Sequence, residues 1–470
     1  MNVRLKFFGA AKSVTGSKYL LEVDDTHLLI DCGLFQGLKP LRERNWHPLP
    51  LEHDKIDAVL LTHAHIDHSG YLPRLFKDGY RGPVHCTEPT AELLRIMLTD
   101  SGRLQEEEAE FARKKGYSKH EYPQPLYTAE DAQQVFPHLT TSPMGEWIRL
   151  DERISFRFHY AGHILGASMV EVRLQGSYQE KTILFSGDLG RYNHPTLFNP
   201  ASVPSADILL IESTYGDRDN FNEDVNEDVE EQFAEVVNES QDNGGVLLIP
   251  AFSVGRTQTI IYYLTKLIDA GRIPNIPVYI DSPMAISVTD LYRKFIKYHR
   301  LDNKELDEPR GVFDHPNLHY CRDRELSKSL NKLEKNAVIL SASGMLTGGR
   351  ILHHLYHRLP RENDTLLFSG FQPVGTRGRD IQDGEIAVKV FGLPVPIRCH
   401  VKDIDGLSAH ADRQELHRWL SGFESSPKMT YIVHGEEESA MALQNYISQE
   451  LKWQATVPDY LDTHTLFEGI

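Results

Sequence analysis

Residues 62–68 read THAHIDH and directly follow the apolar run DAVLL, which predicts a strand that ends on a group of metal-binding side chains. His63 and His65 are two residues apart, so on an extended segment their side chains point to one face. Asp67 and His68 follow where a helix is predicted to begin, and the free N–H groups there favour a carboxylate. Imidazole and carboxylate together suit zinc or a similar first-row ion. A chain with this cluster must fold so that further ligands reach the same point.

The cluster offers too many ligands for one zinc ion and too few for two, so the rest of the chain should supply the remainder. Three positions qualify, namely His163 in HYAGHILGAS, Asp188 in ILFSGDLG and His434 in YIVHGE. Each follows a β-like run and comes shortly before glycine or another turn residue, which predicts a place at the edge of a sheet. Asp31, in LLIDCG, has the same setting. We therefore expect one two-metal site at strand ends.

The apolar pattern divides the chain into three parts. Up to about residue 209 it alternates short β-rich runs with turns, and a helix is predicted in HSGYLPRLFKDG. Between 210 and 395, strands such as GVLLIPAF and IPVYIDS alternate with helices such as TQTIIYYLTKLIDAG, which predicts a parallel sheet with covering helices. From 396 to 470 the first pattern returns. We expect a first domain segment, an inserted α/β domain and a return segment.

Composition excludes some functional classes. No apolar run reaches the ~20 residues that a membrane helix needs, so we expect a cytoplasmic protein without a membrane partner. The cysteines form no CxxC pair, which argues against a zinc ribbon or a redox motif. A net charge of −17 argues against a broad basic surface that coats nucleic acid. It leaves room for nucleic acid at a local site where metals carry the positive charge.

Several motifs resemble those of known families. LLIDCG, THAHIDH, the pair Gly162–His163 and FSGD resemble the four motifs of the metallo-β-lactamase fold. ESTYG, GLSAHAD and IVHGE resemble the β-CASP branch of that superfamily, which holds RNA-processing and DNA-repair nucleases. These include the cleavage subunit of the mRNA 3′-end machinery and RNase J. The resemblance covers almost the whole chain and implies an α/β fold: a metallo-β-lactamase αββα sandwich with an inserted α/β β-CASP cap.

The resemblance also implies a role for each candidate ligand. One zinc ion would be held by His63, His65 and His163. The second would be held by Asp67, His68 and His434. Asp188 would bridge the two ions, and Asp31 would orient a ligand or a bound water by a hydrogen bond. The expected cofactors are therefore two Zn²⁺ per chain, and a hydroxide bound to both would attack the phosphorus of RNA.

A leaving alkoxide needs a proton, and a histidine oriented by a carboxylate is expected to donate it. His410, in SAHAD, and Glu212, in ESTYG, lie at the two junctions between the predicted parts. An imidazole oriented by a carboxylate suits a proton donor, because the pairing favours the charged imidazole. Together with Asp188 and Asp31, these residues form the expected catalytic set.

The inserted part is expected to contact the RNA backbone. Arginine forks and backbone N–H groups near glycine suit phosphate binding. The candidates are Arg256 in SVGRTQ, Ser343 and Gly344 in SASGM, Arg377 in GTRGR, and Ser408. The aromatic residues Tyr215 and Phe371 are expected to stack on bases, so a single strand fits better than a duplex.

A zinc-dependent ribonuclease is the leading hypothesis, and three alternatives stay open. A non-catalytic RNA-binding or scaffold relative is disfavoured because every ligand position is filled. A small-molecule metallo-hydrolase is disfavoured by the long insertion between Asp188 and His434. A DNA-directed nuclease is not excluded, because no side chain visibly reads a 2′-hydroxyl. The direction of cleavage, the natural RNA and assembly into a homo-oligomer are left open, and neither a KH module nor the extra C-terminal domain of RNase J is expected.

Overall fold

A computed structural model describes residues 1–115, 123–177, 179–219, 225–301, 306, 311–370, 372 and 375–470. The chain divides into two compact units. The first unit comprises Met1–Tyr192, Phe198–Asp219 and His410–Ile470, and the second comprises Asn193–Leu197 and Asn220–Ala409. In the part of the chain that the structure describes, every helix is too short or too polar to span a bilayer.

The first sheet of the first unit has seven strands. Their bounds are β1 Val3–Phe7, β2 Tyr19–Val23, β3 Thr26–Ile30, β4 Ala58–Leu60, β5 Val84–Cys86, β6 Leu139–Thr141 and β22 Thr463–Phe467. The order across the sheet is β22-β1-β2-β3-β4-β5-β6. In β1 the apolar Val3, Leu5 and Phe7 are fully buried, as the alternation in VRLKF predicts. The sheet is antiparallel from β22 to β3 and parallel from β3 to β6.

The second sheet contains strands from two distant parts of the chain, residues 148–212 and 429–456. Their bounds are β7 Ile148–Arg149, β8 Ile154–Tyr160, β9 Ser168–Gln175, β10 Glu180–Phe185, β11 Ile208–Glu212, β20 Met429–Val433 and β21 Ala455–Thr456. Their order is β21-β20-β11-β10-β9-β8-β7. Strand β20 lies parallel to β11, with Glu212 opposite Val433. The return segment therefore supplies an inner strand of this sheet, β20, and its edge strand, β21.

One apolar core joins the two sheets. Phe7 and Leu21 of the first sheet and Phe156 and Val170 of the second are buried in the same cluster. Helices of this unit are α1 Lys39–Glu43, α2 Ile66–Ser69, α3 Leu72–Lys77, α4 Glu88–Lys115, α5 Ala129–Gln133, α12 Arg413–Leu420 and α13 Glu437–Gln449. Helix α4 packs against β6, and α13 packs against β20 and β21. The predicted α/β fold with a sandwich of two sheets is confirmed.

The helix predicted in HSGYLPRLFKDG is two helices in the structure. Helix α2 ends at Ser69, and α3 begins at Leu72 with a proline in its first turn. Pro73 has no N–H group to continue a helix from the preceding turn, but it suits a helix start. The break leaves α2 as a single turn that carries Asp67 and His68.

The second unit contains a parallel six-stranded sheet. Its strands are β12 Val246–Pro250, β13 Val278–Ile280, β14 Leu318–Tyr320, β15 Ala337–Ser341, β16 Thr365–Phe368 and β19 His400–Asp403. They follow the order β14-β13-β15-β12-β16-β19. Helices of this unit are α6 Val225–Asp242, α7 Arg256–Asp269, α8 Pro283–Lys294, α9 Arg324–Leu330, α10 Ile351–Arg358 and α11 Arg377–Gln382. Strands β12 and β15 are buried throughout, as strands covered on both faces are.

The limits predicted at residues 210 and 395 differ from those of the compact units. Strand β11 continues to Glu212 within the first unit. Residue 395 falls within β18, Leu393–Pro396, which pairs with β17, Ala387–Val390, in a hairpin of the second unit. Strand β19 then pairs with β16 and extends the second unit's sheet. The pairing of β19 with β16 joins segments that are far apart in sequence, so no local sequence pattern predicts it. The limits at 210 and 395 stay a prediction about domains.

Candidate metal centre

The candidate ligands of the first unit all lie just beyond strand ends. Asp31 follows β3, His163 follows β8, Asp188 follows β10 and His434 follows β20. The THAHIDH segment follows β4 and is a loop that passes into α2, rather than a continued strand. Because β3 and β4 are parallel, as are β10, β11 and β20, their carboxyl ends gather the ligands on one side.

Backbone geometry holds this side together. Asp31 and His434 adopt left-handed φ angles of 59° and 47°, in the region where aspartate and histidine are enriched among residues other than glycine. The His434 N–H donates to the carbonyl of Ala10 at 2.8 Å. A Cβ atom at Gly33 would lie 1.6 Å from the carbonyl oxygen of Asp67, so only glycine fits there. The α2 turn is thus packed directly on the loop after β3.

Three imidazoles and one carboxylate form the first ligand cluster. His63 Nε2 and His163 Nε2 each lie 3.1 Å from His65 Nδ1. The same two nitrogens lie 3.4 and 3.6 Å from Asp188 Oδ2. A ring nitrogen carries at most one proton, so His65 Nδ1 can donate a hydrogen bond to only one of its two neighbours. Three ring nitrogens this close together therefore suit a shared cation better than hydrogen bonds. The four ligand atoms lie within 4.8 Å of one another.

The second ligand cluster lies on the other side of Asp188. His434 Nε2 is 3.3 Å from Asp67 Oδ2, and His68 Nε2 is 3.8 Å from the same oxygen. His68 Nε2 and His434 Nδ1 lie 3.1 and 3.5 Å from Asp188 Oδ1. The Asp67, His68 and His434 ligand atoms also lie within 4.8 Å of one another.

Asp188 connects the two clusters. Its Oδ2 faces the first and its Oδ1 faces the second. Among the described residues, no group donates a hydrogen bond of good geometry to the buried Oδ1. An ionised oxygen that is buried without a donor is costly unless a cation neutralises it. The donor set therefore fits a pair of first-row metal ions that share Asp188.

The protonation states of His63, His65 and Asp188 in the free protein agree with this fit. Burial lowers the pKa of His63 to about 3 and that of His65 to about 4, so both rings are neutral ligands at neutral pH. Burial raises the pKa of Asp188, but the imidazoles of His434 and His68 outweigh it and hold that pKa well below its usual range. Burial lowers the pKa of His68, but Asp188 and Asp31 raise it well above its usual value. A metal ion that binds His68 must therefore displace a proton.

Glu212 and His410 form a pair at the edge of this centre. Glu212 is the last residue of β11 and is fully buried, and its Oε1 accepts from the Leu189 N–H at 2.6 Å. His410 Nδ1 lies 3.2 Å from Glu212 Oε1, while His410 Nε2 lies 4.0 Å from Asp188 Oδ2. The ring of Tyr215 lies 6.0 Å from that of His410. The pair thus directs one imidazole nitrogen towards the ligand clusters.

The charge of Glu212 controls the charge of His410. Burial lowers the pKa of His410, but the adjacent Glu212 carboxylate outweighs it and raises the pKa to about 9. The imidazole therefore carries its proton at neutral pH, as a donor must.

The candidate phosphate contacts lie in the second unit, at the carboxyl ends of its central strands. Arg256 follows β12, Ser343 and Gly344 follow β15, and Arg377 follows β16. The Gly344 carbonyl accepts from Gln372 Nε2 at 3.0 Å, and Ser343 Oγ lies 3.1 Å from Thr347 Oγ1. Ligands of open parallel sheets bind at this edge, which keeps these residues as candidates. Ser408 lies near the end of the unit, and Phe371 lies outside the described residues.

Arg377 has a structural role that its motif does not reveal. Its Nε donates to the Lys389 carbonyl at 2.8 Å, and its Nη1 donates to the Leu346 carbonyl. The guanidinium thereby ties the β17–β18 hairpin to the loop after β15. Phosphate contact by Arg377 stays a prediction and would have to use its remaining donors.

We expect Arg377→Ala to lower the free energy of unfolding by about 1–3 kcal/mol, because two carbonyls lose their donor. Arg379→Ala is the matched control on the same helix. Its guanidinium pairs with Asp383 at the surface at 2.9 Å, so its loss should change the stability much less than the loss of Arg377. Chemical denaturation of both variants measures the difference. Equal stabilities would remove the structural role from Arg377.

Sequence reasoning missed two threonines that contact ligands. Thr62 Oγ1 lies 3.0 Å from His63 Nδ1, and Thr214 Oγ1 lies 3.2 Å from His434 Nδ1. A hydroxyl directly before the first histidine of THAHIDH was the available signal for Thr62. No local signal connects Thr214 with His434, because the two are far apart in sequence and meet only through the pairing of β11 with β20.

Comparison with known families supports the fold and the motifs. The sequence matches the metallo-beta-lactamase superfamily over residues 14–247 and the Beta-Casp domain over residues 257–381. It also matches the Zn-dependent metallo-hydrolase RNA specificity domain over residues 394–458. The matched segments follow the order that the motifs predict.

Similar proteins extend this result over nearly the whole chain. Ribonuclease TTHA0252 of Thermus thermophilus is 39% identical over 450 residues, which are 94% of this chain and 95% of that protein. Transcription termination factor FttA of Methanocaldococcus jannaschii is 32% identical over 477 residues, or 98% of this chain and 71% of that protein. A crystal structure of a protein of unknown function from Enterococcus faecalis V583 has a TM-score of 0.56 at 14% identity. That comparison covers 99% of this chain and 100% of the other, and it supports the fold.

These two relatives match the chain along most of their length, and their similarity is high enough to assign the chain to their family. The resemblance inferred from the motifs is confirmed, and so is the expectation of a nuclease fold with an inserted cap. The chain belongs to the β-CASP branch of the metallo-β-lactamase superfamily, as one of its RNA-processing nucleases.

Proposed function

We propose that this protein is a zinc-dependent ribonuclease that hydrolyses phosphodiester bonds of RNA with two metal ions. The observation that carries the proposal is the position of Asp188, whose two oxygens face two separate ligand clusters. The named ribonuclease and the RNA specificity domain among the similar sequences support RNA as the substrate class. A cytoplasmic location and a preference for single strands belong to the same proposal.

Seven residues are proposed to bind the two metal ions. The first ion would be held by His63, His65 and His163, and the second by Asp67, His68 and His434, with Asp188 between them. Ions bound in this way lower the pKa of water and neutralise charge on a phosphate. Asp31 lies 2.8 Å from His68 Nδ1 through its Oδ2, so it would fix the orientation of that ring.

His410 is proposed to protonate the leaving oxygen. Its Nδ1 faces Glu212 and its Nε2 faces Asp188, so the carboxylate holds one nitrogen and leaves the other directed towards the clusters. Because the Glu212 charge keeps the imidazole protonated, the donor is in its active form before RNA binds. The ring of Tyr215 beside His410 offers a surface for base stacking.

RNA phosphates are proposed to bind to the second unit. Arg256, Ser343, Gly344 and Ser408 are the candidate contacts, with the remaining donors of Arg377. A cation and backbone N–H groups at the carboxyl edge of a parallel sheet suit a phosphate. These residues would bind phosphates of the RNA backbone.

The test is a cleavage assay with matched substrates. RNA and DNA of one sequence, labelled at the 5′ or the 3′ end, would be incubated with the metal-loaded protein and the products mapped. Cleavage of RNA but not DNA supports the proposal, and the product ladder distinguishes internal from terminal cleavage. Exclusive cleavage of DNA would make the protein a deoxyribonuclease. Binding of RNA without any cleavage would support the scaffold alternative.

We expect protein purified without chelator to contain close to two zinc ions, or a zinc-like pair, per chain, because two ligand clusters are present. A chelator should remove the ions and the cleavage activity together, and added zinc should restore both. Elemental analysis alongside the cleavage assay measures this. An active protein without transition metal would rule out the two-metal proposal.

A further inference from the structure

The hydroxyl of Thr62 lies between Asp31 and His63. Thr62 Oγ1 is 2.9 Å from Asp31 Oδ2 and 3.0 Å from His63 Nδ1. Asp31 Oδ2 is also 2.8 Å from His68 Nδ1. Thr62 and Asp31 are each 1% exposed, so water does not compete for these contacts. One carboxylate thus reaches an imidazole of each ligand cluster, directly in one case and through a hydroxyl in the other.

Proton counting assigns the direction of each hydrogen bond. An ionised carboxylate only accepts, so the single hydroxyl proton of Thr62 points to Asp31. The Thr62 oxygen then accepts from His63 Nδ1, which must carry the ring hydrogen. This leaves the lone pair of His63 on Nε2, the atom that faces Asp188 in the first cluster. His68 likewise donates from Nδ1 to Asp31, so the proton that a metal ion displaces is the one on Nε2, the atom that faces the second cluster.

The rest of Thr62 is held as firmly as its hydroxyl. Its N–H donates to Asp31 Oδ1 at 2.8 Å. Its carbonyl accepts from both the N–H and the hydroxyl of Ser168, each at 2.9 Å. A Cβ atom at Gly187 would lie 2.7 Å from Thr62 Cβ, so Thr62 packs against the residue before Asp188. These contacts fix the backbone and Cβ of Thr62, and the hydrogen bonds of the hydroxyl to Asp31 and His63 hold its rotamer.

We infer that Thr62 is a positioning residue, through which Asp31 sets the ring-nitrogen tautomer of one histidine in each metal cluster. The assignment rests on the proposed two-metal function. Removal of the hydroxyl should affect the cluster of His63, whereas removal of the Asp31 charge should affect both clusters. Loss of a partner that orients a metal ligand typically lowers metal affinity by about 10–100-fold.

Zinc titration of the metal-free protein tests this inference without RNA. A chelator of known affinity competes for each of the two equivalents. Thr62→Val has nearly the same shape without the hydroxyl, and we expect it to weaken one equivalent by about 10–100-fold and to spare the other. Thr62→Ser keeps the hydroxyl and should restore the affinity. Asp31→Asn should weaken both equivalents, and adding Thr62→Val to it should weaken the first no further.

The outcomes separate this inference from the proposed function. Wild-type protein that binds no zinc would contradict the two-metal function itself. Wild-type protein and Thr62→Val with equal affinities at both equivalents would overturn only the role of Thr62. Equal weakening by Thr62→Val and Thr62→Ser would also overturn it, because the hydroxyl would then not be the cause. If Thr62→Val does not fold, as judged by circular dichroism, Thr62→Ala gives the same comparison.

Discussion

Asp188→Asn is expected to lose both metal ions and RNA cleavage together. Asp188 is 2% exposed and is the one residue among the described ligands whose two oxygens reach both clusters. An amide carries no charge and presents an N–H₂ group to one of the clusters, where imidazole nitrogens need a cation. Elemental analysis should show the zinc content falling from close to two ions to less than one per chain, and cleavage should fall to the level of chelator-treated protein.

Asp207→Asn is the matched control for this variant. Asp207 pairs with Lys181 at 2.7 Å in the same sheet, just before β11, and has no part in the clusters. This control should keep both ions and full activity. Retention of one tightly bound ion by Asp188→Asn would show that the clusters are independent and that Asp188 belongs to only one of them.

His410→Ala is expected to keep both ions and to lower the cleavage rate by about 10²–10⁴-fold, because a positioned proton donor is lost. That loss corresponds to roughly 3–5 kcal/mol in the barrier. His410 Nδ1 is occupied by Glu212, and its Nε2 is 4.0 Å from the nearest carboxylate oxygen of Asp188, so it is not needed to complete either ligand cluster. Single-turnover cleavage and elemental analysis of the same sample measure both effects, and RNA binding should survive.

Three variants serve as comparisons for His410→Ala. Glu212→Gln should have the same effect in a milder form, since an amide keeps a contact with the imidazole but removes the charge that raises its pKa. Asp67→Ala and His434→Ala should instead reduce the content of the second ion as well as activity. Near-normal cleavage by His410→Ala with both ions bound would remove His410 from the mechanism. Loss of zinc in that variant would make it a ligand or a support of one.

Most strands and the candidate ligands could be predicted from the sequence. Runs such as VRLKF and VLLIP carry the strand periodicity in their own residues, and polar residues follow the strands where a sheet edge must lie. His63, His65, Asp67 and His68 are adjacent in sequence, so their cluster needed no tertiary information. The more distant His163, Asp188 and His434 could be found because each shares the same local setting. Patterns that are local in the chain can be read from the chain.

The grouping of these residues into two clusters became visible only in the tertiary structure. Asp188 faces two clusters because β4, β8, β10 and β20 bring their ligand residues to it. The order of these strands in two sheets cannot be predicted from any local sequence pattern. The link from Asp31 through Thr62 to His63 depends on distances of about a hydrogen bond between loops that follow different strands. The pairing of β19 with the sheet of the second unit and the hydrogen bonds from Arg377 to two carbonyls likewise depend on contacts between distant segments. Strand pairing and burial depend on which distant segments of the chain meet in the assembled sheets. The partners of a side chain are therefore fixed only when those segments have come together.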